Sequence, residues 1–218
     1  MNKYQIYVIN LKKDVEKLAN FDKQVNNQFT YKKITGIEPF YGNSFLKKGQ
    51  LGCLRSHRKI LEDAIKNNHK KILIFEDDVI FKDTWDNIQK NIERFQPSQP
   101  HLVYLGCSQH KWTNIRLKYI KTKKIIKDIE IKKGFYRPLY SFGSFAVMID
   151  QSIFKHLLDK YKKETKPIDH YLLEYQASNR NRCIVMYPNK VIADVSSSNT
   201  GVARDMSTMI KIFKWNEA

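Results

Sequence analysis

Three carboxylates stand in a row at Glu76, Asp77 and Asp78. The apolar run Ile72-Leu73-Ile74-Phe75 precedes them and Val79-Ile80-Phe81 follows. The first run is short, β-branched and without alternation, so it reads as a buried strand. Adjacent carboxylates at the end of such a strand repel one another and are costly to desolvate. A hard divalent cation, Mg²⁺ or Mn²⁺, relieves that cost and commonly bridges to substrate phosphates. The trio therefore reads as a metal-nucleotide site at the carboxyl end of a central strand, where α/β sheets hold ligands. Read alone it fits a solvated acidic turn equally well.

The elements around the trio follow from periodicity. Tyr4 to Asn10 reads as a first buried strand and Asp14 to Val25 as a helix, with Val15, Leu18, Phe21 and Val25 on one side. Phe29 to Ile34 reads as a second strand, closed by Thr35-Gly36, and Pro39 to Lys48 as a loop. A helix over Leu51 to Asn67 precedes the acidic strand, and His101 to Leu105 is a further strand. This alternation predicts an α/β domain with a mostly parallel central sheet flanked by helices. Ile115 to Ile131 interleaves lysine with apolar residues and predicts short antiparallel strands. After it come a strand over Gly143 to Ile149, a helix over Gln151 to Lys162, a helix opening at Pro167, and a strand over Cys183 to Tyr187.

A chain of 218 residues without repeat or linker predicts one domain, which the family resemblance given below divides into a nucleotide-sugar half over about 1–110 and an acceptor half over about 111–218. Three separated cysteines, Cys53, Cys107 and Cys183, make neither a CxxC metal pattern nor a disulfide framework. Apolar runs fall short of the ~20 residues of a membrane span, and the N-terminal residues lack a signal peptide's apolar core. The expectation is a cytoplasmic chain or one at a cytosolic membrane face. The net charge of +17 favours an anionic partner, such as an anionic membrane surface or a phosphorylated substrate, or else simply solvates the surface. Nucleic acid fits less well, because the lysines are not interleaved with arginine and aromatic readers.

Four blocks together resemble glycosyltransferase family 25, the group of bacterial lipopolysaccharide sugar transferases and collagen galactosyltransferase domains. They are Ile6 to Leu11 with the Thr35-Gly36 turn; Gly49-Gln50-Leu51-Gly52-Cys53-Leu54-Arg55-Ser56-His57; Ile74 to Val79; and Gly143 to Ile149 with Pro167-Ile168-Asp169. The resemblance implies a single GT-A-type domain. It implies inverting transfer of galactose or glucose from a UDP-sugar to a glycan or hydroxylated protein, assisted by Mn²⁺ or Mg²⁺. It places Asp78 as the metal acid, with Glu76 two residues away on the same side of an extended segment. Asp77 would face the other way, to a ribose or a backbone amide. Asn10, Leu11, Gly36, Arg55, Ser56 and His57 would serve the sugar nucleotide, with Gly49 and Gly52 letting backbone approach the ligand. Gly143 and Ser144 would line the acceptor side. Asp169 is the candidate general base; a first-turn acid stabilising its helix is the plainer alternative. The last histidine is His170, so Ser197, Ser198, Asn199 or water would complete the metal shell. Two other functions fit the trio: a metal-dependent phosphotransferase or nuclease, and a nucleotide-sugar-binding module without turnover.

Overall fold

The computed structural model describes residues 4–95, 99–108, 130–138, 141–197, 204–213 and 215. The strands are β1 (Gln5–Asn10), β2 (Lys32–Thr35), β3 (Lys71–Glu76), β4 (Val79–Phe81), β5 (Leu102–Tyr104), β6 (Glu130–Lys132), β7 (Phe135–Tyr136), β8 (Ala146–Asp150), β9 (Cys183–Met186) and β10 (Val191–Ala193). The helices are α1 (Val15–Val25), α2 (Lys48–Lys66), α3 (Trp85–Glu93), α4 (Phe154–Tyr161), α5 (Ile168–Ser178) and α6 (Met206–Phe213).

Eight strands form the main sheet in the order β2-β1-β3-β8-β5-β9-β7-β6. β1 runs parallel to β2 and β3, and β5 parallel to β9. β8 lies antiparallel between β3 and β5. Thus β8 and β7 alone in this sheet oppose the common direction, and a strand from the second half of the chain is built into the middle of the first.

Both faces of this sheet are covered, which explains the apolar strands. Tyr7, Ile9, Ile72, Ile74, Tyr104 and Val147 point to one face, where they meet Leu54 and Leu61 of α2, Leu157 of α4 and Leu172 of α5. Ile6, Val8, Leu73, Phe75, Val103 and Met148 point to the other, where Phe21 of α1 and Ile88 of α3 lie. The alternation along each strand is the period of two that sends neighbouring side chains to opposite faces. The second face is closed by rings: Phe29 and Trp85 have centroids 4.2 Å apart, and Phe75 and Phe81 5.3 Å.

The sequence reading needs several corrections. The second strand sits at Lys32–Thr35, while Phe29 packs in the core ahead of it. α2 starts at Lys48, where the Lys47 N–H donates to Gln50 Oε1 at 3.1 Å. A 3-10 turn over Gln151–Ile153 precedes α4, because Asp150 caps that turn by accepting from the Ser152 N–H. α3 and β10 are elements the reading did not include. Val79–Phe81 joins no central sheet but pairs antiparallel with β10. Of the interleaved segment 115–131, only 130 and 131 are described, and they belong to β6. Lys118, Lys121, Lys123, Lys124 and Lys127 lie outside the described residues, as do Ser198 and Asn199. Among the described residues, no helix is long and apolar enough to cross a membrane.

Candidate functional site

β1 and β3 are neighbours in parallel, with Ile9 beside Glu76, so the residues just past both strands meet at one edge of the sheet. The Asp77 N–H donates to Ile9 O at 3.1 Å, and the Asn10 amide donates to Asp77 Oδ2 at 2.6 Å. Asn10 is buried and also donates to Asp14 O, so it positions Asp77 and itself lines neither of the clefts described below. The Gly36 N–H donates to Asn10 O at 2.8 Å, which holds the turn after β2 against the same strand end.

Two clefts of about 250 Å³ each open at this edge, and Cys53, Glu76 and Asp78 line both. The first is walled by Leu11, Ile37 and Pro39, with Lys13 and Lys48 at its rim. The second is walled by Gly143, Ser144, Asp169 and His170, with Asp194 across from them. The fold thus brings Leu11, Ser56, Glu76, Asp77 and Asp78 together in one cleft, and Glu76, Asp78, Gly143, Ser144 and Asp169 in the other.

The expected site residues on α2 differ in placement: Arg55 and His57 line neither cleft, whereas Ser56 lines the first. Arg55 forms a two-pronged pair with Glu164, at 2.8 and 2.7 Å, and lines neither cleft. Ser56 donates to Gly52 O at 2.7 Å and accepts from the Ile37 N–H at 2.8 Å, so it fastens α2 to the loop before it. Gly52 is required for the same contact. A Cβ there would stand 2.3 Å from Ile37 O, so the glycine admits this backbone closely while also lining the first cleft. His57 is 1 % exposed and reaches no cleft; its Nε2 sits 3.6 Å from Glu76 Oε1.

The two ends of the acidic trio differ in surroundings. Glu76 Oε1 accepts from the Ser144 hydroxyl at 2.8 Å and has Cys53 Sγ at 3.9 Å. Burial pushes this carboxyl up, but the nearby His57 and the Ser144 hydroxyl outweigh it, and the group lies below its ordinary range. Asp78 is pushed up to about 7, first by burial and then by the charge of Glu76. Lys17, 3.6 Å away, offsets this in part, while Asp77 and Asp194 add to it. Asp77 is pushed up to about 6 by burial against the pull of Asn10. Burial also raises Asp169, whose Oδ1 accepts the His170 N–H at 3.0 Å. The Cys53 thiol is held well up by burial and by the Glu76 charge.

The expected metal pair of Asp78 with Glu76 shares both clefts and has a further acidic neighbour in Asp194. Glu76 turns one oxygen to Ser144, His57 and Cys53, while Asp194 approaches Asp78 from the other side. The Asp194 N–H donates to Asp78 O at 2.6 Å, and both residues line the second cleft. Asp194 stands beside Asp78, with its Oδ1 accepting from the Ser196 N–H and hydroxyl, whereas Ser198 and Asn199 lie outside the described residues. The oxygen donors of Asp78 and Asp194 are the set that a hard divalent cation binds. The burial and mutual repulsion that raise Asp78 are what such a cation would relieve. Asp194 and Lys17 were both missing from the sequence reading.

Comparison with known proteins adds the lineage. The family model described as glycosyltransferase family 25 (LPS biosynthesis protein) matches residues 31–172. The inactive glycosyltransferase 25 family member 3 of Mus musculus is 34% identical over 82 residues, which is 35% of this chain and 13% of that protein. The probable inactive glycosyltransferase 25 family member 3 of Bos taurus is 26% identical over 161 residues, 62% of this chain and 26% of that protein. The chain thus matches about an eighth to a quarter of the length of these relatives. Among solved structures, a glycosyltransferase involved in glycosylation of the major capsid of PBCV-1 aligns with a TM-score of 0.49 at 12% identity. It covers 84% of this chain and 81% of its own. Mouse xyloside xylosyltransferase 1 aligns with a TM-score of 0.43 at 11% identity, over 84% of each chain. The family match spans well over half of the chain, including the acidic trio, α2, Gly143, Ser144 and the start of α5. The chain belongs to glycosyltransferase family 25.

Proposed function

We propose that this chain is an inverting hexosyltransferase of GT-A type. It would move galactose or glucose from a UDP-sugar to a glycan or hydroxylated protein. One observation carries the reading: Asp78 stands in the wall shared by a cleft suited to a nucleotide and a cleft holding a candidate base. In this reading the apolar walls Leu11, Ile37 and Pro39 take the uracil. Lys13, Lys17 and Lys48 face the diphosphate, and Asp77, fixed by Asn10, meets the ribose. Asp78 and Asp194 would hold Mn²⁺ or Mg²⁺, which supplies positive charge against the departing UDP. Glu76, held ionised by its neighbours, adds the field that keeps that cation in place.

Asp169 accepts the proton of the acceptor hydroxyl while the resulting oxygen attacks the anomeric carbon and the bond to UDP breaks. Its raised affinity for a proton suits a base. Small side chains at Gly143 and Ser144 leave room for the acceptor sugar. The net charge of +17 supports an acceptor presented on an anionic membrane, with Lys132 and Lys133 exposed on and after β6. A second reading, nucleotide-sugar binding without turnover, is favoured because the matched relatives are named inactive.

A screen of UDP-sugars for Mn²⁺-dependent hydrolysis and transfer tests both readings. The expected result is turnover with one UDP-hexose, lowered roughly 10²–10⁴-fold in Asp169→Asn with UDP binding unchanged. UDP binding with no turnover under any donor leaves the binding module. No UDP binding at all removes both.

A further inference from the structure

Cys53 and His57 stand one turn apart on α2, so both side chains leave the same face of the helix. That face looks onto the end of β3. Cys53 Sγ lies 3.9 Å and His57 Nε2 3.6 Å from the same oxygen, Glu76 Oε1, and all three ligand atoms lie within 4.8 Å of one another. At 3.6 Å the imidazole is beyond ordinary hydrogen-bond reach. Its Nε2 is buried without a hydrogen-bond partner and aims into this cluster. The transferase reading gives the thiol no role and the imidazole only that of a neighbour to Glu76.

We propose that Cys53, His57 and Glu76 form a site for a borderline-soft divalent cation of the zinc class, separate in donor chemistry from the oxygen donors of Asp78 and Asp194. A thiolate, an imidazole and a carboxylate are donors that zinc takes together. Bonds of about 2.0–2.3 Å in a tetrahedron put such donors about 3.3–3.5 Å apart. The two separations to Glu76 Oε1 need to shorten by only a few tenths of an ångström, and the thiol and imidazole, within 4.8 Å of each other, close the third edge. Cys53 and Glu76 line both clefts, which leaves the fourth position open to water. The Ser144 hydroxyl on Glu76 supplies the outer hydrogen bond that orients a ligating carboxylate. Binding releases the thiol proton to solvent. Mg²⁺ and Mn²⁺, which favour oxygen, gain little from sulfur and stay with the aspartates. The site stands whether or not the chain transfers sugar.

The experiment uses chelator-stripped full-length protein and Co²⁺ as a spectroscopic stand-in for zinc. The expected result is one equivalent of Co²⁺ giving a near-ultraviolet thiolate-to-metal charge-transfer band, displaced by Zn²⁺ but not by Mg²⁺. Asp78→Asn should keep the band, His57→Gln should weaken Co²⁺ binding about tenfold or more, and Cys53→Ser should lose the band. In the wild-type protein, Zn²⁺ should also slow alkylation of Cys53 about tenfold. The buried Cys107 and Cys183 serve as internal controls, so the question stays decidable if a variant fails to fold. Absence of the band in the wild type, its persistence in Cys53→Ser, its loss in Asp78→Asn, or unchanged Cys53 alkylation would overturn the site.

Discussion

Glu76 and Asp78 are two residues apart and live under opposite electrostatics. Glu76 faces a hydroxyl, an imidazole and a thiol, and its carboxyl is held below the ordinary range. Asp78 faces carboxylates at Glu76, Asp77 and Asp194, with Lys17 as a partial counterweight, and is pushed up to about 7. The difference teaches that one acidic motif can divide its labour. One end is stabilised as an anion by the protein itself. The other is left short of positive charge, which an incoming cation would supply.

Exchanging each carboxyl for its amide should separate the two ends most strongly. Asp78→Asn should lower Mn²⁺-dependent turnover roughly 10³-fold or more, the scale of several kcal/mol of charge stabilisation. The same change should raise the melting temperature of the metal-free protein, because it removes a repelled charge. Glu76→Gln should instead cost about 1–3 kcal/mol of stability, since it removes the anion that His57 and Ser144 surround. Calorimetry of the two variants beside their turnover decides it. Equal stability changes of the same sign would erase the contrast.

The contrast also has a pH signature. The carboxyls of Asp77 and Asp78 are raised to about 6 and about 7, so the folded chain binds their protons more tightly than the unfolded chain does. Their contribution is fully present below the ordinary carboxylate range near pH 4 and is lost as pH climbs through 6 and 7. In chelator, the melting temperature should therefore be lower at pH 8 than at pH 5. Added Mn²⁺ should recover more of it at pH 8 than at pH 5. A metal-free protein that gains stability between these pH values through this site would contradict the assignment.

The smallest effect tests a region away from the clefts. Glu164 binds Arg55 by two hydrogen bonds and Arg58 by a third. Its carbonyl also accepts from the Asn43 amide at 2.9 Å. This ties the loop before α2 to the turn between α4 and α5. Glu164→Gln should cost about 1 kcal/mol and leave the UDP Kd unchanged. A large loss of UDP binding would return Arg55 to the nucleotide site.

The strand ends and the acidic trio were legible because burial leaves a continuous apolar run and a carboxylate cluster is conspicuous at its end. α3 was legible in principle: Thr84 accepts from the Asn87 N–H as a cap, and Trp85, Ile88 and Ile92 share one buried side. Asp194 was not legible. It reaches Asp78 only through the pairing of β10 with β4, and Ala193-Asp194-Val195 carries no local sign of that register. Lys17 looked like one more charge on a polar helix, although it turns back towards the trio. The roles of Ser56 and His57 depended on which way each side chain points from α2, which spacing alone leaves undetermined. The pairing of Arg55 with Glu164 was not legible, because Glu164 lies in a distant turn.

The two-strand clip of β4 and β10 joins segments more than a hundred residues apart, with Val191 opposite Phe81 and Ala193 opposite Val79. Such a contact closes a long loop and cannot form before β10 exists. Asp78 and Asp194 therefore meet only once synthesis has passed Asp194 and the two strands have paired. A nascent chain truncated before β10 would carry the acidic trio yet lack the second aspartate. Its affinity for a hard cation would then serve as a timer for completion of the fold.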